Sequence, residues 1–167
     1  MKTYTEFITT LNDNQVFVFG SNLDGFHGGG AAGIASFGSS QIRWRDLNYD
    51  KLPDGWKGKW NVKGIGRGFQ EGSVGKSYAL PTVTHAGYKR SLTPKEIILN
   101  IHQMYAFAED YPEWEFLVAG FVSDNPPLNG YTHLEMTQMY AVARPPDNVI
   151  FHITYAELIQ NILKGYA

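Results

Sequence analysis

The stretch Gly20–Gly30, a polar loop that ends in a run of glycines, has residue types well suited to binding chemistry. It follows an apolar run of β-branched and aromatic residues, Val16–Phe19, which predicts a buried strand. Small residues across Ala31–Phe37 predict a closely packed helix next. A strand, a glycine loop and a helix start together favour phosphate binding. Glycines let a ligand approach the backbone, and unpaired N–H groups at the helix start point towards the anion.

Other polar side chains lie in or beside predicted loops and could act on a ligand. Asp24 in the glycine loop and Asp124 in a later loop are candidate general bases, although loop aspartates more often form turns. His27 lies inside the glycine loop, and His85 directly follows a predicted strand. For each histidine, contact with a ligand and a local hydrogen bond within the loop are both open interpretations.

Two further glycine-rich stretches resemble nucleotide-binding motifs but lack their requirements. Gly72–Ser77 resembles the end of a P-loop, but that motif needs a glycine five positions before Gly75, where this chain has Gln70. The run also leads into a predicted strand, whereas a P-loop leads into a helix. Gly64–Phe69 has phenylalanine at the last position of a dinucleotide-binding fingerprint. Arg67 and Lys76 could contact phosphate, and a solvated surface position is the simpler interpretation for both.

Composition argues against metal and disulfide chemistry. The chain has no cysteine, so thiolate ligands, thiolate nucleophiles and disulfides are all excluded. It has five histidines, and no pair shows the helical spacing of a zinc site with a carboxylate between them. We therefore expect no metal and no cofactor.

Strands and helices are predicted to alternate from Val16 onwards. Apolar runs predict three more strands, Ser77–Thr84, Glu115–Val122 and Asn148–Ile153. Such runs alternating with helices predict an α/β fold with a largely parallel sheet covered on both faces. Ligands in these folds bind outside the carboxyl ends of the strands, so the loops that follow the strands are the expected site.

Local signals place the helix starts. Thr93, Thr132 and Thr154 each precede a glutamate by three residues, which is the pattern of a capping box. Residues 3–12 have apolar positions that suggest a short leading helix. Pro81 lies within a predicted strand and indicates an edge or irregular position.

Residues 41–76 show no clean period and are treated as an irregular excursion. Tryptophans there alternate with basic residues, and eight Lys and Arg stand against four Asp and Glu. Basic and aromatic side chains across residues 43–67 could stack nucleic-acid bases or form the wall of a nucleotide pocket. A small subsidiary core around the tryptophan side chains is the alternative.

Length and composition indicate one globular domain spanning residues 1–167. Hydrophobic residues make up 43% of the chain and charged residues 18%, as in ordinary globular proteins. The N-terminal segment lacks a long apolar run and nothing approaches the length of a membrane span, so we expect a cytoplasmic protein with no membrane partner. The sequence does not give the oligomeric state.

The glycine loop resembles that of macro domains, in particular a divergent branch common in bacteria and phages. The shared pattern is a strand that ends in Asn22, a gap of five residues, the run Gly28–Gly30, and a helix of small residues. Gly72–Thr82, GSVGKSYALPT, resembles the same branch at a similar position. The resemblance implies a three-layer α/β/α fold, with a mixed, largely parallel sheet, that binds ADP-ribose or related nucleotides.

The resemblance also implies roles for particular residues. Asn22 would contact the distal ribose or place a water, the backbone of Gly28–Ala31 would approach the ligand, and a second loop after Glu115–Val122 would hold phosphate. The ligand-binding residues implied in this way are Gly20, Ser21, Asn22, His27, Gly28, Gly29, Gly30, Ala31, Ser123, Asn125, Gly130 and Tyr131. The candidate catalytic residues are Asn22, Asp24, His27 and Asp124.

Two departures from the family pattern bear on catalysis. One class of hydrolytic macro domains has an aspartate shortly after the glycines, where this chain has Ala31, Ala32 and Gly33. In the second loop only Gly130 and Tyr131 fit the pattern, and two prolines remove backbone donors. These differences favour holding a nucleotide over cutting one.

We therefore expect a single macro-like domain that binds ADP-ribose or a related small nucleotide-derived ligand at residues 20–33. Whether it is an enzyme stays open; if it is one, we expect a hydrolase acting on an ADP-ribosyl or nucleotide derivative. The alternatives are a nucleic-acid-binding module that uses residues 43–67, and an interaction protein that keeps the fold without the ligand.

Overall fold

A computed structural model describes residues 2–39, 48–121 and 128–165. Its strands are β1 (Thr3–Tyr4), β2 (Gln15–Asn22), β3 (Gly68–Glu71), β4 (Lys76–Val83), β5 (Glu115–Val118) and β6 (Val149–His152). Its α-helices are α1 (Gly30–Phe37), α2 (Pro94–Asp110), α3 (His133–Val142) and α4 (Ile153–Gly165).

The described strands form one mixed sheet of six in the order β1-β6-β5-β2-β4-β3. All neighbouring pairs are parallel except β3 and β4, which form an antiparallel hairpin. β2 is central in the sheet, between β5 and β4. The glycine loop follows the carboxyl end of β2 and therefore lies near the middle of the row formed by the strand ends. The predicted α/β class and largely parallel sheet are confirmed.

Alternate side chains of β2 are buried on opposite faces of the sheet, which accounts for its continuous apolar run. Val16 and Val18 belong to a core cluster with apolar residues of α2, α3 and α4. Phe17 and Phe19 belong to a second cluster with Ala32, Ile34 and Ala35 of α1 and with Trp60. Because both faces of the sheet are covered, every residue of Val16–Phe19 lies in an apolar environment, which explains the continuous apolar run. This packing fits a three-layer α/β/α arrangement.

Two of the three predicted capping boxes are present. Thr93 caps α2 and Thr132 caps α3, and in both cases the glutamate three residues later bonds back to the threonine N–H. The third prediction is wrong because β6 runs directly into α4, which begins at Ile153. The Thr154 hydroxyl instead accepts a hydrogen bond from the Phe121 N–H at 2.9 Å.

The N-terminal prediction is also wrong, since Thr3 and Tyr4 form a strand and residues 5–12 contain no helix. Thr3 and Tyr4 pair in parallel with Phe151 and His152 of β6. This parallel pairing requires an extended backbone at Thr3 and Tyr4, so a helix over residues 3–12 could not include them.

Pro81 does not lie on an edge strand, because β4 is flanked by β2 and β3. Pairing with β3 ends at Ala79, however, so β3 does not reach Pro81. The pairing register with β2 also shifts between Ser21 and Asn22, directly opposite Pro81. The irregular position predicted for this proline is therefore observed within an interior strand.

The excursion contains more regular structure than its sequence suggests. A 3-10 turn spans Tyr49–Lys51, and β3 is formed by Gly68–Glu71, which the sequence analysis missed. Trp60 is fully buried against Phe17, in the cluster that the sheet shares with α1, whereas the subsidiary-core interpretation expected a small core around the tryptophans. Trp44, Arg43 and Arg45 lie outside the described residues.

Of the residues 72–77 that mimic a P-loop, 72–75 form the tight turn between β3 and β4, with the Gly72 N–H donating to the Gly75 carbonyl at 2.8 Å. Lys76 begins β4, at the sheet edge opposite the glycine loop, and its ammonium contacts the Asp13 carbonyl. Arg67 donates to the side chains of Asn100 and Gln103. Arg67 and Lys76 are thus engaged by groups of the protein itself, and the surface interpretation explains their positions without a phosphate.

Candidate functional site

The glycine loop is fixed at its start by the side-chain amide of Asn22. Asn22 Nδ2 donates to the Phe26 carbonyl at 2.8 Å, and Asn22 Oδ1 accepts from the Phe26 N–H at 3.0 Å. Both ends of the amide are thus used inside the loop, and Asn22 is only 7% exposed. This arrangement makes Asn22 a brace for the loop, whereas the sequence analysis expected it to contact a ribose.

We predict that replacing Asn22 with alanine lowers the free energy of unfolding by about 1–3 kcal/mol, because two partly buried backbone groups of Phe26 lose their partners. Replacing it with aspartate keeps the acceptor for the Phe26 N–H and is expected to cost less than alanine. Urea unfolding followed by circular dichroism measures both. Equal stability of wild type and Asn22→Ala would show that the amide does not hold the loop.

Residues 64–66, which belong to the excursion, pack directly under the glycine loop. The Ser21 hydroxyl donates to the Gly66 carbonyl at 2.9 Å. A Cβ on Gly66 would overlap the Asn22 carbonyl oxygen, and a Cβ on Gly25 would overlap the Gly64 backbone. Only glycines permit this approach of two backbones, so Gly25 and Gly66 serve the site without carrying a functional group.

Helix α1 begins without a side-chain cap. Gly29 is the N-cap residue in extended conformation, and no acidic residue lies in the first turn. The first intrahelical hydrogen bond runs from the Gly33 N–H to the Gly29 carbonyl at 2.9 Å. Helix geometry leaves the preceding N–H groups without intrahelical partners. Gly29 is exposed, and a Cβ there would meet no atom within 4 Å.

His27 lies beneath the loop and is fully buried. Its ring stands edge-on to Phe19 at 5.1 Å, and neither ring nitrogen has a hydrogen-bond partner. Burial lowers the pKa of His27 from 6.5 to about 4, and the nearby Ile65 backbone offsets only part of that effect. A neutral, enclosed imidazole is poorly placed to meet a ligand, so its position favours a role inside the loop.

A pocket of about 550 Å³ opens beside the loop, at the carboxyl ends of β2 and β4. Its lining combines carboxylates, a lysine, aromatic rings and a histidine: Asp24, Phe26, Tyr49, Asp50, Lys63, Gly64, His85, Ala86 and Tyr88. This volume is within the range of small-molecule sites. Asp24 and His85, considered separately in the sequence analysis, contact each other here through Asp24 Oδ2 and His85 Nδ1.

The pocket walls are held by bonds that sequence reasoning did not foresee. The Tyr49 hydroxyl donates to the Gly25 carbonyl at 2.6 Å and accepts from the Gly64 N–H at 3.3 Å. Lys63 Nζ donates to the Leu52 carbonyl at 2.6 Å and lies 5.5 Å from the Tyr49 ring centroid. These contacts are long-range in sequence, so no local pattern signals them.

The second predicted loop is described only in part. Ser123, Asp124 and Asn125 lie outside the described residues, so the expectations about them stay predictions. Tyr131 is 3% exposed and its hydroxyl contacts the Leu92 carbonyl, which gives it a packing role. Gly130 adopts a positive φ of 85° beside Arg90. Leu128 approaches the glycine loop, since a Cβ on Gly30 would lie 3.1 Å from Leu128 Cδ1.

The remaining predicted residues divide between surface and interior. Gly20 and Gly29 are exposed, Gly28, Gly30 and Ala31 are half-buried, and Ser21 is buried. Among residues 2–39, 48–121 and 128–165, no group of His, Asp and Glu side chains is placed to hold a metal ion. Within the same ranges, no helix has the length and apolar character needed to cross a membrane.

No protein-family model, no curated protein and no solved structure matches this chain. The likeness to macro domains therefore rests on the residues of the glycine loop and of Gly72–Thr82 alone, and the functional interpretation rests on the site's own geometry.

Proposed function

We propose that this protein binds ADP-ribose or a related nucleotide-derived ligand at residues 20–33 and in the adjoining pocket. The observation that carries the proposal is the uncapped start of α1, directly after Gly28–Gly30, at the carboxyl edge of a central parallel strand. Backbone N–H groups and the helix dipole favour an anion at such a position. A phosphate there leaves the base and ribose to the neighbouring pocket.

A further feature supports a small nucleotide ligand. The pocket offers the aromatic rings of Phe26, Tyr49 and Tyr88 beside polar groups, a combination suited to a base and a ribose.

The structure favours this ligand over nucleic acid. In the described part of the Trp- and Lys-rich excursion, Trp60 is buried, Lys59 contacts the Thr9 carbonyl, and Lys63 is bonded to the Leu52 carbonyl. Side chains engaged in this way are not arranged as a stacking platform. Binding to nucleic acid would be marked by affinity that falls steeply with salt, which provides a simple discrimination.

The proposal is tested by placing a charge at the helix start. Gly29→Asp adds a good N-cap residue in open space, so the melting temperature should be unchanged or higher. The carboxylate would stand where the phosphate is expected, and repulsion should weaken ADP-ribose binding at least about tenfold, corresponding to about 1.4 kcal/mol. Isothermal titration calorimetry measures the affinity.

Gly29→Asn is the matched control, because it caps the helix equally well and carries no charge. It should bind ADP-ribose more tightly than Gly29→Asp. In wild type, ADP-ribose at a hundred times its dissociation constant should add about 2.7 kcal/mol to stability. Absence of any thermal shift with millimolar ADP-ribose, NAD and simple nucleotides would overturn the proposal and leave an interaction protein without a ligand.

A further inference from the structure

The contact between Asp24 and His85 joins two loops that are 61 residues apart in sequence. Asp24 follows β2 and His85 follows β4, and these two strands are parallel neighbours in the sheet. Their carboxyl ends therefore meet at the same edge, where ligands of parallel α/β folds bind. Both side chains line the 550 Å³ pocket.

The geometry selects the useful tautomer of His85. Its Nδ1 faces the Asp24 carboxylate, so Nδ1 carries the proton and donates it in a hydrogen bond. Nε2, on the opposite side of the ring, then holds the lone pair that accepts a proton from water. A carboxylate that orients an imidazole in this way also stabilises the imidazolium when it forms.

His85 is held in place by its own loop as well as by Asp24. The Tyr88 N–H donates to the His85 carbonyl at 3.1 Å, closing a turn in which Gly87 has a φ of 83°. The Tyr88 ring lies edge-on to the imidazole at 5.0 Å. The side chains of His85 and Asp24 are 50% and 53% exposed, so the pair is both ordered and accessible to a ligand.

Two other titratable groups of this region, His27 and Lys63, differ from the pair. His27 is buried. The Lys63 ammonium already donates to the Leu52 carbonyl and lies 3.9 Å from Asp54 Oδ1. Of the described residues that were predicted as catalytic, Asp24 alone contacts a histidine in a pocket. The missing aspartate after Gly30 would thus be replaced by an acid–base pair from two other loops.

We propose that Asp24 and His85 form an acid–base dyad that hydrolyses a glycosidic bond of the bound nucleotide, at the ribose carbon that carries a substituent through oxygen. His85 Nε2 takes a proton from water, and the water oxygen bonds to that ribose carbon. The bond from the carbon to the substituent oxygen breaks on the opposite face, the substituent leaves as an oxyanion that takes a proton from solvent, and the imidazolium releases its proton to solvent. Asp24 orients the ring and stabilises its charge. This inference rests on the proposed nucleotide binding.

The test uses the full chain and the 4-nitrophenyl glycoside of ADP-ribose, joined at the terminal ribose, because release of nitrophenol is read directly. The wild type should hydrolyse it, and His85→Gln should lower kcat about 10²–10⁴-fold, the usual contribution of a positioned general base. Asp24→Asn should also lower kcat, because an amide permits the wrong tautomer of His85.

The matched control is His102→Gln, the same substitution at an exposed position on α2, which should leave kcat unchanged. All three variants should keep melting temperatures within about 3 °C of wild type, because an exposed ion pair adds little stability. His85→Gln should still bind ADP-ribose, measured by calorimetry, so that loss of turnover is not loss of binding.

The outcomes separate the two proposals. If wild type binds ADP-ribose and does not release nitrophenol, or if His85→Gln retains the wild-type kcat, the dyad is overturned and nucleotide binding stands. If wild type does not bind ADP-ribose at all, both proposals are overturned. Loss of turnover in both dyad variants, with binding retained and His102→Gln active, supports the dyad.

Discussion

Replacing Trp60 with alanine is expected to lower the free energy of unfolding by about 3–5 kcal/mol, the usual cost of truncating a buried aromatic side chain to alanine. Trp60 is fully buried, and its ring lies 5.1 Å from that of Phe17 on β2. Its edge also packs against Gly75, where a Cβ would lie 2.7 Å from Trp60 Cδ1. The cavity left by alanine would thus open between the sheet and the excursion.

The backbone of Trp60 explains why its side chain matters to the site. Its N–H donates to the Ala35 carbonyl of α1 at 2.7 Å, and its carbonyl accepts from the Ser77 hydroxyl of β4 at 2.8 Å. The residue therefore ties the excursion to α1, which follows the glycine loop, and to β4, which neighbours β2 in the sheet. Loss of the ring should loosen this attachment, and hydrogen exchange at the Gly64 amide should become faster in Trp60→Ala.

Urea unfolding followed by circular dichroism measures the loss of stability, and Trp56→Ala is the matched control. Trp56 is half-buried and stacks on Phe37 at 5.4 Å, so its truncation should cost only about 1 kcal/mol. If Trp60→Ala cost no more than Trp56→Ala, Trp60 would not be the anchor of the excursion.

The buried position of Trp60 illustrates what the sequence could and could not reveal about the fold. Its apolar ring suggested burial in a subsidiary core around the tryptophans, and the ring is buried, but in the cluster that the sheet shares with α1. The strand Gly68–Glu71 was missed although its pairing with β4 is a local hairpin. Its four residues, GFQE, hold a single apolar side chain, so neither an apolar run nor an alternating pattern marks them as a strand.

Helix starts divide in the same way between local and non-local causes. The boxes at Thr93 and Thr132 are made within four residues, so the sequence pattern is sufficient to predict them. At Thr154 the same pattern is overridden, because strand β6 leads straight into the helix and the hydroxyl bonds to Phe121 across the fold. Tertiary contacts decide whenever they compete with a single local hydrogen bond.

The candidate site follows the same division. The loop, the glycines and the start of α1 are consecutive in sequence and were predicted as a unit. Asp24 and His85 were each considered, but their contact depends on β2 and β4 being neighbours. Alternation of strands and helices does not specify the order of strands in a sheet, so the pair could be recognised only in the fold.

His27 gives the second large expected effect, a loss of stability in mild acid. Its pKa is about 4 in the folded protein, because burial disfavours the charged imidazole, against an ordinary value of 6.5. Above about pH 6.5 the ring is neutral in both states and the protein has its full stability. Between pH 6.5 and 4 the unfolded chain binds a proton that the folded chain does not, so the free energy of unfolding falls as the pH falls.

The size of the effect follows from the difference between the two pKa values, and it amounts to about 3 kcal/mol at about 1.4 kcal/mol per unit. Replacing His27 with leucine removes the titrating group and fills a similar volume. Because neither imidazole nitrogen is hydrogen-bonded, leucine leaves no polar partner unsatisfied, and stability at pH 7 should be equal to or higher than in wild type.

Urea unfolding of wild type and His27→Leu at pH 7, 6, 5 and 4.5 tests this expectation, and their difference isolates His27 from carboxylates common to both proteins. The stability advantage of the variant should widen by about 2–3 kcal/mol as the pH falls to 4.5, because most of the unfolded-state protonation is complete there. His102→Leu, the same substitution at an exposed position on α2, is measured over the same range as the control for introducing leucine. A constant difference between wild type and His27→Leu across this range would mean that the imidazole under the glycine loop takes up its proton without unfolding.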